Sequence, residues 1–395
     1  MTNTSQNINL LLVGIGGYGN VYLETINEHT KANLAAVVDP IPELSPGWQA
    51  LKTKKIPAYA SISDFLASGT QFDLAIVASP ISYHAEQSCA LLEAGGNVLC
   101  EKPIAATIEE TTRMQQARDA SDGFLEIGYQ WCYSQAVQSL KHDILRGAFG
   151  APKALITRVE WPRNSLYYKR NNWAGCIKNK QGKTVNDSPV GNATAHYLNN
   201  MLYILGEEIH LSTRPITITA ECYRANPIEN YDTACCRIET AAGADILFFT
   251  THAVKDKDGP VFRYFFEKAE IHYEDDGKII ATFEDGTTKN YGNPDANRML
   301  KLDYCIDRCL DSSSTQSICS AESASALTQC VEALQKVTVT TFPEDLLVKI
   351  PLEEEGHSHV YVPALESAIK TACKNQKLFS EMNFPWASPS ATITI

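Results

Sequence analysis

Asn9-Leu-Leu-Leu-Val-Gly14-Ile-Gly16-Gly17-Tyr18-Gly19 is followed by a mixed run and then by Leu34-Ala-Ala-Val-Val-Asp39. Leu10 to Val13 is a short, unbroken apolar run, the pattern of a strand buried on both faces. Gly14, Gly16 and Gly19 follow in G-x-G-x-x-G spacing, and Tyr22, Leu23 and Ile26 then recur at helical intervals. Leu34 to Val38 reads as a second buried strand, ending in Asp39, twenty residues after Gly19. In such a strand–turn–helix the first glycine permits the turn, the second admits a pyrophosphate, and the third lets helix and strand pack closely. The helix N-terminus presents unpaired N–H groups to the anion. A carboxylate at the end of the second strand can accept from ribose hydroxyls and repels a 2′-phosphate. No Lys or Arg stands between Asp39 and Lys52, so NAD is expected over NADP.

Gly14 to Val21 also fits the glycine-rich loop of protein kinases, but the chain has neither an H-R-D nor a D-F-G segment. A length of 395 residues exceeds what one core organises and points to two domains. The net charge of −12 argues against nucleic acid or an anionic membrane as partner. No apolar run is long enough for a membrane span, and the polar start of the chain does not read as a signal peptide. Many of the twelve cysteines sit inside apolar patterns, which predicts free thiols in a reducing cytoplasm. Cys305 and Cys309 are four apart but lack a second ligand pair, so no metal is expected.

Asp73 to Ala78 reads as a third strand, followed after Pro80 by a helix from about His84. Asn97 to Cys100 is the next strand and runs into Glu101-Lys102-Pro103, and Phe124 to Tyr129 is a further one. Alternating strands and helices imply a parallel sheet, with ligands outside the carboxyl ends of its strands. Lys102 therefore falls where a proton could be handled, before a proline whose peptide bond can be cis.

The glycine stretch, Pro80-x-x-x-His84, the run Leu91-Leu-Glu-Ala-Gly-Gly-Asn-Val-Leu-Cys-Glu101-Lys102-Pro103, and Gly128-Tyr129-Gln130 resemble the glucose–fructose oxidoreductase / inositol dehydrogenase family. The likeness is close over the first ~130 residues and looser beyond. It implies an α/β chain: an N-terminal Rossmann dinucleotide-binding domain, residues 1–130, and an α/β domain with a large open, mostly antiparallel sheet, residues 131–395. It leaves the C-terminal helices free to pack back on the first domain. It implies hydride transfer between NAD and a sugar, cyclitol or related secondary alcohol or ketone. The dinucleotide contacts it implies are Gly14, Gly16, Gly17, Tyr18, Gly19, Asp39, Pro80, His84, Glu101, Lys102 and Gln130. A non-enzymatic dinucleotide-binding regulator, or a reductase of an imine or enone, would use the same fold.

Pro162 to Pro189 is long, irregular and rich in Tyr, Asn, Arg and Trp, and reads as an ordered substrate-facing loop with Tyr168, Arg170, Asn172 and Trp173. Gly191 to Leu205 looks helical, with Asn192 and His196 four apart and on one face. The family places an Asp-x-x-x-His pair here, whereas this chain has Asn192, with Asp187 near in sequence as a substitute. Lys102 and His196 are the expected catalytic residues. From Arg214 to Tyr291 strands dominate, and those from Ala244 to Tyr273 are apolar on both faces, Ile246 and Phe248 against Leu247 and Phe249. One face can pack on the chain's own helices. The other is expected to need a partner subunit, giving a homo-oligomer, dimer or tetramer.

Overall fold

A computed structural model of the chain describes residues 7–274, 276–311 and 316–395. The chain divides into two compact units. The first holds the described residues up to Tyr133 together with those of Asn297–Ser325, and the second holds those of Ser134–Ala296 and Ala326–Ile395.

The first unit is built on six parallel strands: β1 (Ile8–Val13), β2 (Ala32–Val38), β3 (Ala58–Tyr59), β4 (Leu74–Val77), β5 (Asn97–Cys100) and β6 (Leu125–Ile127). Their order in the sheet is β3-β2-β1-β4-β5-β6. This order reverses direction between β1 and β4, and that is where a doubly wound sheet opens a crevice at its carboxyl edge. Leu10 to Val13 and Leu74 to Val77 are buried throughout, as strands covered on both faces must be. The helix Tyr18–Glu28 packs Tyr22, Leu23 and Ile26 onto the sheet. The helix Leu300–Leu310 joins the same core through Leu302, Cys305 and Ile306, far from the rest of the unit in sequence.

The second unit is a ten-stranded sheet. Its strands are β7 (Pro152–Glu160), β8 (Pro215–Arg224), β9 (Thr233–Thr240), β10 (Asp245–Thr251), β11 (Asp258–Phe266), β12 (Ala269–Tyr273), β13 (Ile279–Phe283), β14 (Thr288–Gly292), β15 (Val339–Thr341) and a last strand, Ala391–Thr394. The order is β14-β13-β12-β11-β7-β10-β9-β8-β15, with the last strand pairing to β8. Only β10 with β7 and β15 with β8 run parallel, so the sheet is mostly antiparallel as expected.

Ile246 and Phe248 lie on one face of β10, and so does Thr250, which bonds to Thr194 ahead of the helix Ala195–Ile204. Leu247 and Phe249 lie on the other. The sequence suggested that one of these two faces needs a partner subunit, but the chain covers the Leu247 face itself. Leu365 and Ile369 of the helix Leu365–Asn375, then Leu378 and Phe379, pack against Tyr223, Cys235, Leu247 and Phe249. Trp386 adds its ring to Tyr223, Phe342 and Phe379. Among the described residues no helix is long and apolar enough to cross a membrane.

Candidate functional site

Three loops leave neighbouring strand ends in the first unit: Gly14–Gly19 after β1, Ser79–Pro80 after β4, and Glu101–Pro103 after β5. Gly14 has φ +81°, and a Cβ there would meet the Ser79 backbone at 2.8 Å. A Cβ on Gly19 would sit 2.0 Å from the Gly14 carbonyl oxygen. The first and third glycines are thus required by the chain's own packing. Gly16 is different: its backbone is outside the left-handed region and a Cβ would meet nothing within 4 Å. The helix after it is capped by Gly17 with no side-chain hydrogen bond, and no acid stands in its first turn. Open space above Gly16 and an uncapped helix N-terminus are what a pyrophosphate requires. The residues present therefore fit a dinucleotide.

Asp39 does more than the sequence suggests. One carboxylate oxygen accepts from the Ile15 N–H at 3.0 Å, inside the glycine loop, and the other accepts from the Ile41 N–H at 2.9 Å. It ties the loop to the end of β2, and each oxygen keeps a lone pair for a ribose hydroxyl. His84 is buried, with Nδ1 2.8 Å from the Pro103 carbonyl and Nε2 2.8 Å from the Ser79 carbonyl. It thereby laces the β4 and β5 loops together. Burial pushes its pKa down, against the pull of those carbonyls. Pro80, exposed, precedes a short turn that leads into the helix of His84. Gln130 opens the turn Gln130–Tyr133 after β6.

Glu101 turns inward. One of its oxygens accepts from Lys301 and, at 2.7 Å, from the Tyr22 hydroxyl; the other accepts from the Lys102 N–H at 3.1 Å. Burial would raise its pKa, but the Lys301 ammonium outweighs this and holds the carboxyl below its ordinary value. Lys301 also donates to the Gly128 carbonyl and lies over the Tyr18 ring, 4.6 Å from its centroid. Glu101, expected as a dinucleotide contact, is thus held in a buried ion pair with Lys301. Lys102, half-buried, follows on a cis Lys102–Pro103 bond at the strand end. Sequence reasoning missed Lys301. Its signal was a lone cation on the helix stripe of Leu302, Cys305 and Ile306.

In the second unit the expected helix from Gly191 to Leu205 is broken. Pro189–Ala193 forms a π-turn capped by Ser188, Thr194 leaves helical geometry, and the α-helix runs from Ala195 to Ile204. Asn192 and His196 therefore do not share one continuous α-helical face. The cause is local: Pro189 begins the turn and the Thr194 N–H bonds five residues back to its carbonyl at 2.9 Å. Asp187 does stand beside Asn192, accepting from its side-chain amide at 2.7 Å, and it also accepts from the Gly175 N–H at 2.6 Å. A carboxylate is thus present next to the position where the family Asp was expected.

The irregular segment is ordered. Asn164 caps a short helix, Ser165–Lys169, by accepting from the Leu166 and Tyr167 N–H groups. Arg170 stacks on Tyr167, 3.5 Å from the ring centroid, and reaches Trp173 at 5.3 Å. Tyr168 packs edge-on against Tyr167, while the Asn172 side chain faces solvent. His252 also meets Tyr167; burial, with Arg163 and Arg170 adding to it, pushes its pKa down to about 3 and keeps it neutral.

Residues 8–129 match the family model described as the oxidoreductase family with the NAD-binding Rossmann fold. This segment is similar to the NAD-binding part of the Gfo/Idh/MocA oxidoreductases. The chain is 29% identical over 161 residues to the rhizopine catabolism protein MocA of Rhizobium meliloti, covering 39% of this chain and 49% of that one. It is 23% identical over 194 residues to glucose-6-phosphate 3-dehydrogenase of Bacillus subtilis, covering 49% and 52%. The chain thus spans about half the length of the curated relatives it matches. Among solved structures, the WlbA dehydrogenase of Bordetella pertussis, in complex with NADH and UDP-GlcNAcA, superposes with a TM-score of 0.67 at 22% identity, covering 84% of this chain and 96% of that one. The aldose-aldose oxidoreductase of Caulobacter crescentus superposes with a TM-score of 0.68 at 17% identity, covering 84% and 97%. These likenesses show that the fold resembles those structures past residue 129.

Proposed function

We propose that the protein is an NAD-dependent oxidoreductase that moves hydride between the nicotinamide and a sugar, cyclitol or related secondary alcohol or its ketone. The observation that carries this reading is the open space at Gly16 beside an uncapped helix N-terminus. Gly16 and Gly17 would hold the pyrophosphate and Asp39 the adenosine ribose. The dinucleotide supplies the hydride chemistry when bound. The chain's own residues orient the reactants and move the proton. Lys102 is assigned the proton, because an ammonium at a strand end of the dinucleotide-binding unit can give or take it. His196 is the second candidate for the proton. Twelve cysteines, none in a disulfide among the described residues, fit a reducing cytoplasm. No observation favours the non-enzymatic alternative.

Calorimetry should find NAD binding more tightly than NADP. Asp39→Ala should weaken NAD by about 1.5–3 kcal/mol and narrow that preference, since a hydrogen bond to a charged group and the repulsion of a 2′-phosphate both go. Tighter binding of NADP by the unaltered chain would refute the assignment of Asp39. Sugars and cyclitols are then screened for NADH formation. With a substrate in hand, Lys102→Met should cost about 10²–10⁴-fold in turnover, the usual contribution of a positioned acid or base. His196→Asn should cost less. Near-normal turnover in Lys102→Met would sink the proton assignment.

A further inference from the structure

Where β7 ends in the second unit, three cations alternate with three aromatic rings. Lys257 lies over the Trp161 ring at 5.2 Å, and Arg163 approaches the same ring at 6.0 Å. Arg163 lies 4.7 Å from the Tyr167 ring centroid, and Arg170 lies 3.5 Å from it. Arg170 then reaches Trp173 at 5.3 Å. Among the described residues no Asp or Glu is paired with any of the three cations. The Arg163 guanidinium meets the Pro162 carbonyl at 3.4 Å and the Tyr167 hydroxyl, and its buried Nε has no partner among the described residues. The Arg170 guanidinium donates to the Tyr167 carbonyl at 2.7 Å.

This is unusual for the chain. Acidic residues outnumber Lys and Arg, 46 to 34. Arg158, on the strand that leads to Arg163, is paired with both Glu160 and Asp258. Two guanidinium groups on one ring repel each other, and ring faces offset only part of that repulsion. The nearest acid of the segment, Asp187, is engaged with Gly175 and Asn192. His252, against Tyr167, is neutral and adds no negative charge. A guanidinium pairs best with a planar or tetrahedral oxyanion through two parallel hydrogen bonds.

We propose that Arg163 and Arg170, with Lys257 at the rim, form a site for an anionic substituent, a carboxylate or a phosphate, on the sugar-like substrate. This rests on the proposed function only for the sugar. The aromatic rings fix the position of the guanidinium groups and leave their unused N–H donors for the ligand.

The test uses the full chain and three probes: D-glucuronate, D-glucose 6-phosphate and D-glucose. Binding of each is measured by calorimetry with and without saturating NAD. At least one anionic sugar should bind tenfold or more tightly than glucose, and should weaken as salt is raised from about 50 to about 300 mM, a range that screens exposed charges. Preference for glucuronate assigns a carboxylate, and preference for the 6-phosphate assigns a phosphate. Arg163→Met and Arg170→Met should each lose tenfold or more of that affinity, with the Kd for NAD unchanged, and Arg170→Lys should retain part. Arg170 is exposed, so its variants decide the matter even if Arg163→Met unfolds. Equal binding of all three sugars, binding of neither anionic sugar, or variants that bind like the parent would overturn the proposal. Failure of NAD to bind would instead overturn the dinucleotide reading, and the measurements without NAD would still decide this one.

Discussion

Gly16 and Gly19 separate two reasons for which a glycine can stand in the same loop. At Gly19 a methyl group would run into the Gly14 carbonyl at 2.0 Å, so Gly19→Ala must shift backbone. At Gly16 a methyl group meets only open space. Gly16→Ala should therefore leave the melting temperature unchanged and weaken NAD at least tenfold, whereas Gly19→Ala should lower both. Thermal unfolding beside calorimetry distinguishes the two, and a Gly16→Ala protein that binds NAD normally would remove the pyrophosphate from this loop. A second residue carries a pH dependence. Glu160 is buried at the end of β7, facing Arg158, Asp258, Lys370 and Cys373, and one of its oxygens has no partner among the described residues. Burial pushes its pKa up to about 7. Between the ordinary carboxylate pKa and that raised value, the folded chain holds a proton that the unfolded chain has released. The resulting stabilisation is complete below the ordinary pKa and is lost as pH rises through about 7, at about 1.4 kcal/mol for each pH step between the two values. From pH 5 to pH 8 the parent should lose more thermal stability than Glu160→Gln. Parallel curves would show that Glu160 titrates normally.

At the scale of elements, the helix Leu300–Leu310 matters because Lys301 and Arg308 neutralise two buried carboxylates of the first unit. Lys301 meets Glu101, and Arg308 meets Glu126 at 2.5 Å. Lys301→Met leaves Glu101 charged and buried, which should cost about 3–5 kcal/mol. The double change Lys301→Met with Glu101→Gln should restore much of this in denaturant unfolding. A single variant as stable as the parent would show the pair to be dispensable. This ion pair also marks the limit of sequence reading. The strands β1, β2, β4 and β5 were legible because each carries a short continuous apolar run. The glycine loop was legible because its spacing is local. The ion pair of Glu101 was not legible because its partner is 200 residues away, and no local pattern encodes such a distance. The break before Ala195 was missed because one proline turned an apparent helical period into a π-turn. Arg170 was singled out from the composition of its segment, whereas Arg163, just past the end of a strand, was not.

For the whole molecule, the C-terminal segment covers Leu247 and Phe249. The cover lies in the same chain, so this face gives no reason to expect a homo-oligomer. Phe379 is fully buried there, and Phe379→Ala should cost about 3–5 kcal/mol. Ending the chain after Val362 should expose the face and cause self-association in light scattering, while the full chain should not associate through it. A truncated chain that stays monodisperse would show that the cover is dispensable.

The return of Leu300–Leu310 to the first unit has a consequence for biosynthesis. Ribosomes add about 5–20 residues per second, and domains tend to fold as they emerge. The nascent chain completes β6 of this unit before residue 130, but Lys301 and Arg308 follow only after the intervening strands of the second unit. For roughly 10–30 s at those rates, Glu101 and Glu126 have no cations to meet. The dinucleotide-binding unit therefore cannot be released early as a finished module. Ribosome-bound chains stalled before residue 300 should be digested by protease within this unit, and chains stalled beyond Ser325, with the exit tunnel cleared, should resist.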